Sequence, residues 1–490
     1  MLLSNVEYLQ LIAESLSREI APELQSDSAR ATAQIALDAL RELVQREEQL
    51  PATIAQFGPE GVDLAKRVDQ LLSRSDGSAP GEPSTLQEFR LLLQYLDEGA
   101  KALLAQSSAQ QQADDVATVL RDIALWEERY YAAFKAAPTS APRQSGGEGR
   151  PLTVERLQRE LRARLEDPAI EVKDFKSVPG GFVNETFFFT LVRSGAADEQ
   201  LVIRKKSSDP FFTFWANRLV DEFEIVNAVK DAGLPVARPL WLFDVEDIDG
   251  AFYVMTRSMG HVAGSLRNTY SGGKALSERL MLNLAKFLGQ LHSIPLSHFA
   301  QYLEHGDSPV RIGDTVAQAA AKNISYLHDY WLHRSRLASP SEAYVIHWLR
   351  NNIPADDSQP VLIHGDCFVH NLIVDDEDEI TTVVDWESAH FGSPATDLAY
   401  IKDQVSQYID WETFIRHYRE NGGPEVNESH FPYHKALMNF RNCWGTNISV
   451  SRVPQGYHDI RMIPLGSELF TAFLRNSIES VSPSKNKGAA

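Results

Sequence analysis

One stretch, Val361 to Ala399, constrains the fold of this chain more than any other. Between short apolar runs it places a His-Gly-Asp motif ending at Asp366, then Asn371, then an Asp-Trp-Glu motif beginning at Asp385. Asp366 and Asn371 lie on a loop that leaves the predicted strand VLI, and Asp385 follows the predicted strand TTVV. Both loops can therefore open onto the same cleft, where two acids and an amide would meet.

His-Gly-Asp alone is also compatible with an ordinary turn before a hairpin, because Gly, Asp and Asn are common turn residues. The joint pattern of H-G-D-x-x-x-x-N, a strand, an acidic turn, a second strand and D-W-E is far more specific. Transfer of a γ-phosphoryl group needs a carboxylate that faces the attacking hydroxyl, and oxygen ligands that hold Mg²⁺ on the phosphates. Asp366 fits the first role, and Asn371 and Asp385 fit the second.

Composition bounds the remaining choices. A length of 490 residues suggests two to four domains, and 43% apolar with 23% charged residues is typical of globular proteins. The net charge of −20 argues against nucleic acid and anionic membrane as partners. Two cysteines, Cys367 and Cys443, are too few for a disulfide framework and favour a cytoplasmic location. The N-terminus has the pattern of an amphipathic helix, and no uncharged apolar run is long enough to cross a bilayer.

The first 137 residues are predicted to form a helical bundle of four or five amphipathic helices. Pro51 and Gly58-Pro59 punctuate this region, and Thr85 with Glu88 forms a capping box that opens a helix. The Pro-, Gly- and Ser-rich segment 138–151 is a linker by composition.

After the linker the pattern changes to short β-branched and aromatic runs. The segment 152–258 shows a helix, three strands, a helix over Trp215 to Asp231 and two more strands, which predicts a small antiparallel sheet with one helix packed on it. Residues 259–478 are predicted to be mainly helical, and 479–490 are predicted to form a flexible tail. The predicted fold is therefore α+β: a helical bundle, then a sheet lobe and a helical lobe.

These motifs resemble the aminoglycoside phosphotransferase and choline kinase-like (APH) family of the protein-kinase-like superfamily, here with an extra N-terminal helical domain. The match runs through His364, Asp366 and Asn371, then Asp385-Trp386-Glu387, and then Asp397-Leu398-Ala399. The resemblance implies an enzyme that uses ATP and Mg²⁺. Asp366 would be the catalytic base, Asn371 and Asp385 the metal ligands, and His364 a support for the loop.

The resemblance extends upstream into the predicted sheet lobe. A turn with Gly180 and Gly181 would cover the nucleotide phosphates, although a Gly-Gly between strands can also be a plain hairpin. Arg204 takes the place of a phosphate-contacting lysine, and a register shifted by one would give that role to Lys205. Glu222 would be the ion-pair partner, the alternative being an ordinary charged helix face.

The fifth strand is expected to lead into a hinge beside the adenine, formed by Met255 to Ser258. Cys367 could be a nucleophile with His370 as its base, but a cysteine is more often a small buried hydrophobe. His370 itself could contact substrate or merely fill the loop. Trp444, Arg441 and Tyr457 could line an acceptor site or belong to a core.

The expected reaction is transfer of the ATP γ-phosphoryl group to a hydroxyl of a small molecule. The glycine turn and the Arg204-Lys205-Lys206 strand look most like a bacterial branch related to the kinase modules found beside acyl-CoA dehydrogenases, which implies a hydroxyacyl acceptor. An aminoglycoside or amino alcohol is the competing acceptor, and a non-catalytic kinase-like binding or regulatory module is the alternative from another class. The N-terminal bundle is expected to form a homodimer, cover the acceptor cleft or bind a partner.

Overall fold

The computed structural model describes residues 5–24, 27–74, 79–106, 110–133, 152–178, 184–206, 218–244, 251–264, 276–333, 336–451 and 469–482. Its α-helices are α1 Asn5–Ser15, α2 Asp27–Leu71, α3 Leu86–Gln106, α4 Gln110–Ala132, α5 Val154–Arg164, α6 Leu219–Asp231, α7 Glu278–His292, α8 Ala300–His305, α9 Val316–His333, α10 Pro340–Asn351, α11 Ala395–Val405, α12 Trp411–Glu420, α13 Phe431–Ser451 and α14 Phe470–Val481. Its strands are β1 Glu171–Val178, β2 Asn184–Val192, β3 Glu199–Lys206, β4 Pro239–Phe243, β5 Phe252–Thr256, β6 His261–Val262, β7 Val361–Ile363, β8 Leu372–Val374, β9 Ile380–Val383 and β10 His390–Gly392.

The chain forms two compact units that do not follow the linear order of the sequence. Unit 1 groups Met1–Ser145 with Leu327–Ile353 and Lys435–Ala490, and unit 2 comprises Gly146–Tyr326 and Pro354–His434. The sequence pattern assigns 327–353 and 435–478 to the helical lobe at 259–478, and 479–490 to a tail. They group instead with the N-terminal helices, because α10 buries its apolar side chains in the same core as α3 and α4.

Helix α2 of unit 1 is longer than its sequence suggests. It runs without a break from Asp27 to Leu71, through both Pro51 and Pro59. A proline inside a helix removes one backbone hydrogen bond and usually bends or ends the helix. Here Ile54 and Phe57, which lie between the prolines, are buried in the unit 1 core. Tertiary packing therefore outweighs the local cost of the prolines. The helix breaks that the prolines suggested are wrong.

The start of α3 agrees with its sequence signal. The backbone N–H of Glu88 donates to the Thr85 hydroxyl at 3.2 Å, and the Thr85 N–H donates to the Glu88 carboxylate at 3.1 Å. These reciprocal bonds satisfy two N–H groups that a helix N-terminus leaves without partners. The predicted capping box is confirmed.

A buried polar network ties α10 to the N-terminal helices of unit 1. The N–H and hydroxyl of Ser341, in the first turn of α10, donate to the Glu127 carboxylate of α4 at 2.8 and 2.6 Å. Arg336, which precedes α10, pairs with Asp97 at 2.8 Å and with Glu342 at 3.1 Å. Burial raises the pKa of Glu127 to about 7, against the lowering effect of the Ser341 hydrogen bonds.

This pKa predicts a pH-dependent stability. The pKa of Glu127 is about 7 in the folded chain and 4.5 in the unfolded chain, so folding favours the protonated form. The resulting contribution to the free energy of unfolding is fully present below pH 4.5 and is lost as the pH rises through about 7. We expect Glu127→Gln to increase the free energy of unfolding relative to wild type at pH 8 by up to about 3 kcal/mol, and by much less at pH 5. Urea unfolding at both pH values measures this. Glu98→Gln, at an exposed position on α3, is the control, and an equal effect at both pH values would contradict the prediction.

Unit 2 begins with the sheet lobe. Strands β1 to β5 form one antiparallel sheet in the order β1-β2-β3-β5-β4, with α6 inserted in the chain between β3 and β4. Leu201 and Ile203 of β3 pack with α5 on one face of this sheet. By strand alternation, Val202 and Arg204 point to the other face, where Arg204 meets Glu222 of α6. The predicted strand–strand–strand–helix–strand–strand order is confirmed.

The rest of unit 2 surrounds the loops that carry the motif residues. β7 pairs with β10, and β6, β8 and β9 form a second small sheet. Helices α7, α11 and α12 contribute to a large apolar core beneath these strands. α7 and α12 approach so closely that a Cβ on Gly289 would lie 2.4 Å from the Tyr418 carbonyl oxygen. The α+β fold class predicted from the sequence is confirmed.

Candidate active site

The loop after β7 is held by backbone hydrogen bonds. The N–H groups of His364 and Gly365 donate to the Asp397 carboxylate of α11 at 2.9 and 2.8 Å. Gly365 has φ +80°, a conformation in which glycine carries no steric cost. Burial alone would raise the pKa of Asp397, but the neighbouring His292 and these donors lower it. Asp397 therefore stays ionised and fixes the start of the loop.

His364 supports this loop from inside. Its Nδ1 accepts the Asp366 N–H at 3.2 Å, and its Nε2 donates to the Val384 carbonyl at 3.1 Å. The ring is fully buried and lies against the Trp386 ring, tilted by 57° with 4.6 Å between centroids, and burial lowers the pKa of His364. A neutral imidazole with both nitrogens bonded to backbone joins the two motif loops, which is the geometry expected for a loop support.

Three side chains surround the carboxylate of Asp366. The Tyr400 hydroxyl donates to Oδ1 at 3.0 Å. Asn371 Nδ2 and His370 Nε2 lie 3.1 and 3.2 Å from Oδ2. Burial would lower the pKa of His370, but the Asp366 carboxylate outweighs burial and raises it. The carboxylate of the expected base thus accepts hydrogen bonds from its own loop and from helix α11.

Asn371 is oriented by its amide nitrogen. Nδ2 also donates to the Asp366 main-chain carbonyl at 2.9 Å. Among the residues that the structure describes, the Asn371 amide oxygen takes part in no hydrogen bond. Asn371 O also accepts the N–H of Val384, the residue before Asp385, at 3.0 Å. The structure therefore brings Asp366, Asn371 and the Asp385 loop together, as the sequence suggested.

Asp385 adopts a backbone conformation that non-glycine residues rarely use. Its φ of 69° and ψ of 62° lie in the left-handed region. The next residue, Trp386, is buried and donates its indole N–H to the Val383 carbonyl at 3.1 Å. This anchor and the His364 contact hold the turn in place. Backbone strain of this kind concentrates at functional sites.

One guanidinium, that of Arg204, joins three carboxylates. Its Nε lies 2.7 Å from Glu222, and its Nη2 lies 2.5 Å from Asp385 and 3.0 Å from Glu387. Burial raises the pKa of Glu222 even though Arg204 acts in the opposite direction. Burial and the Asp385 charge raise the pKa of Glu387 well above its ordinary value. The cluster thus sets three carboxylates against one guanidinium.

Arg204 and Lys205 have different surroundings. Arg204 contacts Glu222, its expected partner, whereas the buried Lys205 amine bonds to Glu185 at 3.1 Å. Met255 lies near the end of β5, and Ser258 follows that strand. The Ser258 hydroxyl accepts a hydrogen bond from the Thr382 hydroxyl at 2.6 Å. The glycine turn at 180 and 181 lies outside the described residues.

Several residues of the cluster carried no sequence signal of their own. Tyr253 donates its hydroxyl to Glu222 at 3.1 Å, and Asn184 donates to Glu387 at 3.3 Å. Glu387 could have been assigned from its place in D-W-E, and Tyr400 from its place directly after D-L-A. Tyr253 and Asn184 could not, because only sheet register brings them to the site.

Other sequence candidates lie in buried surroundings. Cys367 is fully buried, and burial raises the pKa of its thiol well above the ordinary value, which disfavours a thiolate nucleophile. Trp444 and Arg441 are buried, whereas Tyr457 lies outside the described residues. Within the described ranges, no group of three or more His, Cys, Asp or Glu side chains could hold a metal, and no helix could cross a membrane.

A sheet lobe followed by a helical lobe, with an acid–amide pair on one loop and a further acid on the adjoining turn, defines a kinase-like domain. The chain belongs to the phosphotransferase enzyme family (APH), whose family model matches residues 174–430, more than half of the sequence. The resemblance drawn from the motifs is confirmed. Membership supports kinase-like phosphoryl transfer to a small molecule.

Curated relatives share this part of the chain. Acyl-CoA dehydrogenase family member 11 of Gallus gallus is 32% identical over 250 residues, which are 50% of this chain and 29% of that protein. The Mus musculus protein of the same name is 30% identical over 226 residues, 45% of this chain and 27% of the relative. The chain therefore spans less than a third of the length of these relatives.

Solved structures also align with it. Choline kinase LicA from Streptococcus pneumoniae is 16% identical, with a TM-score of 0.43 over 66% of this chain and 98% of that one. Macrolide 2'-phosphotransferase type I is 16% identical, with a TM-score of 0.43 over 66% of this chain and 97% of that one.

Proposed function

We propose that this protein transfers the γ-phosphoryl group of ATP to a hydroxyl group of a small molecule, with Asp366 as the base. One observation carries the proposal. The Asp366 carboxylate, on a loop fixed by Asp397, is bonded to the Asn371 amide, and the Asp385 turn is tied to the same loop. This set matches the needs of phosphoryl transfer, in which positioning and charge neutralisation dominate.

In the proposed reaction the acceptor oxygen attacks the γ-phosphorus. The bond between that phosphorus and the β,γ-bridging oxygen breaks, and ADP leaves with the electron pair. The acceptor O–H proton passes to the Asp366 carboxylate, which later releases it to solvent. The Asp366 side chain is 29% exposed, so an acceptor can reach it.

Asn371 and Asp385 are the proposed Mg²⁺ ligands. The Asn371 amide oxygen makes no hydrogen bond in the described part of the chain, and Asp385 offers a carboxylate on the adjoining turn. Hard oxygen donors in small number are what Mg²⁺ takes from protein when phosphates supply the rest. When bound, the ion would neutralise charge on the phosphates. Arg204 now contacts Asp385, so this carboxylate would be shared between the guanidinium and the metal.

The nucleotide contacts belong to the same proposal. Arg204, oriented by Glu222, would reach the phosphates, and its position on the face of the acid cluster supports Arg204 over Lys205. A guanidinium can bind phosphate through two N–H groups. Gly180 and Gly181 would cover the phosphates, and Met255 with Ser258 would border the adenine.

A mutation of Asp385 tests this site. We expect MgATP to stabilise the wild-type protein, by about 2.7 kcal/mol when the ligand is at a hundredfold excess over Kd. Asp385→Asn should lose the Mg²⁺-dependent part of this stabilisation, because a neutral amide binds the cation poorly. Thermal denaturation with ATP, in the presence and absence of Mg²⁺, measures it.

The control for that experiment is Asp376→Asn, on the exposed acidic turn between β8 and β9. It should respond to MgATP as wild type does. Unchanged stabilisation of Asp385→Asn by MgATP would remove Asp385 from the metal site. No stabilisation of the wild type would favour the alternative of a non-catalytic module.

For the acceptor we propose a hydroxyacyl compound. The support is that the matching segment lies within proteins named acyl-CoA dehydrogenase family member 11. Aminoglycosides and amino alcohols are the competing class. Panels of hydroxyacyl-CoA, amino alcohol and aminoglycoside acceptors, assayed side by side for ADP release above the acceptor-free rate, discriminate between them. Stimulation only by a cationic acceptor would overturn the hydroxyacyl assignment.

A further inference from the structure

The histidine at 370 has an unusual set of partners. Its Nε2 lies 3.2 Å from Asp366 Oδ2. Its Nδ1 is buried and has no hydrogen-bond partner in the described part of the chain. The side chain is 13% exposed, whereas that of Asp366 is 29% exposed. The one hydrogen bond that the imidazole makes in the described part of the chain is therefore to the proposed base, and the imidazole is the less exposed of the two groups.

Buried histidines nearby are bonded differently. His364 uses both ring nitrogens on backbone groups. His292 uses both as well, on the Tyr418 hydroxyl at 2.9 Å and on Asp397 at 3.2 Å. Two satisfied nitrogens are what a structural role requires, because an unpaired buried polar atom costs free energy. The buried Nδ1 of His370 remains unpaired in the described part of the chain, at a cost in free energy. The hydrogen bond that His370 does make, to Asp366, is therefore the feature that explains its position.

Tyr400 approaches the same carboxylate from another element. It belongs to α11, and its hydroxyl donates to Oδ1 at 3.0 Å, while His370 bonds Oδ2. The terminal torsion of an aspartate is broad, so a single donor leaves the carboxylate free to rotate. Asn371 Nδ2 also donates to Oδ2 at 3.1 Å, and together these donors on both oxygens, from a loop and a helix, restrict that rotation.

Resting on the proposed phosphotransferase function, we infer that His370 and Tyr400 are positioning residues that fix the orientation of the Asp366 carboxylate toward the acceptor hydroxyl. They act through Asp366 and not on the nucleotide. Their loss therefore lowers kcat while KM for ATP stays nearly constant, because a small misorientation of a catalytic group slows the chemical step.

The experiment uses the full chain and MgATP, with hydrolysis as the reaction, since water then stands for the acceptor hydroxyl. His370→Leu removes the donor and should lower kcat about ten- to hundredfold, the effect of one hydrogen bond to a charged group. KM for ATP should change less than about twofold. His370→Gln keeps a side-chain N–H and should restore most of the rate. Tyr400→Phe removes only the hydroxyl and should lower kcat in the same way.

A double-mutant cycle separates positioning from a general structural effect. On an Asp366→Asn background, His370→Leu should cause no more than about a twofold further loss. His305→Leu, at an exposed histidine, is the control and should leave kcat unchanged. If His370→Leu unfolds, Tyr400→Phe and His370→Gln decide the question.

The outcomes are distinct. If the wild type is active and both His370→Leu and Tyr400→Phe keep its kcat, this inference is overturned while the proposed function stands. A full His370→Leu effect on the Asp366→Asn background would also overturn it, because the residue would then act independently of the base. A wild type that neither hydrolyses ATP nor is stabilised by it would overturn the proposed function and this inference together.

Discussion

Asp366→Asn is expected to lower kcat for phosphoryl transfer or ATP hydrolysis by about 10²–10⁴-fold, the contribution typical of a general base. The amide is nearly isosteric, and its one oxygen can still accept a hydrogen bond from either Tyr400 or His370, which bond to different oxygens of the carboxylate. It cannot take up the acceptor proton at neutral pH. Fold and nucleotide affinity should therefore be retained while the chemical step is lost. Steady-state rates with MgATP measure the change.

Two further measurements sharpen that result. MgATP should stabilise Asp366→Asn against heat as it stabilises wild type, since the proposed metal ligands Asn371 and Asp385 are intact. The loss should appear in kcat and not in KM for ATP. A near-wild-type rate for Asp366→Asn would show that another group serves as base, and loss of nucleotide stabilisation would assign Asp366 to binding.

Arg204→Met is expected to reduce the free energy of unfolding by about 3–5 kcal/mol, the usual cost of removing one partner from a buried ion pair. The Arg204 side chain is only 13% exposed and joins Glu222, Asp385 and Glu387. Methionine fills similar volume but leaves three carboxylates without their cation. Urea unfolding at neutral pH measures the loss, and MgATP binding should be lost as well.

The pH dependence of this variant gives an independent check. Burial already raises the pKa of Glu222 and Glu387, and removal of the guanidinium removes a group that opposes this rise. The folded variant therefore takes up protons more readily than wild type, and the destabilisation should shrink as pH falls from 8 to 5.

Arg238→Met supplies the matched control for Arg204→Met. Arg238 pairs with Asp231 at 3.5 Å with its side chain 49% exposed, and exposed ion pairs contribute only about 0–1 kcal/mol. A stability loss for Arg204→Met no greater than that of Arg238→Met would contradict the view that one guanidinium holds the acid cluster together.

The sheet lobe and the motif loops follow closely from local sequence. Short runs rich in β-branched and aromatic residues predict the strands, and the first of them, EVKDFKSV, coincides with β1. The spacing of Asp366 and Asn371 on one loop required no tertiary knowledge. Local patterns could also place Arg204 and Glu222 on a strand and the following helix, which is enough to suggest their pairing.

The rest of the site depends on contacts that no local pattern encodes. Arg204 reaches Asp385 across 181 positions of sequence, and the carboxylate partner of Tyr400 lies 34 positions away. Helix α2 continues through two prolines because distant helices bury its apolar face, whereas propensity alone ends it. These features are set by tertiary packing, which periodicity and turn signals do not specify.

The composition of unit 1 also has a consequence for synthesis. Glu127 on α4 contacts Ser341 on α10, and Asp97 on α3 contacts Arg336. The ribosome therefore synthesises the partners of one core at widely separated times. At about 5–20 residues per second, the N-terminal helices wait roughly 10–40 s for α10 to be translated. During that interval the apolar surface of α3 and α4 that packs on α10 lacks this partner. The nascent chain is therefore most exposed to misassociation while unit 2 is being made.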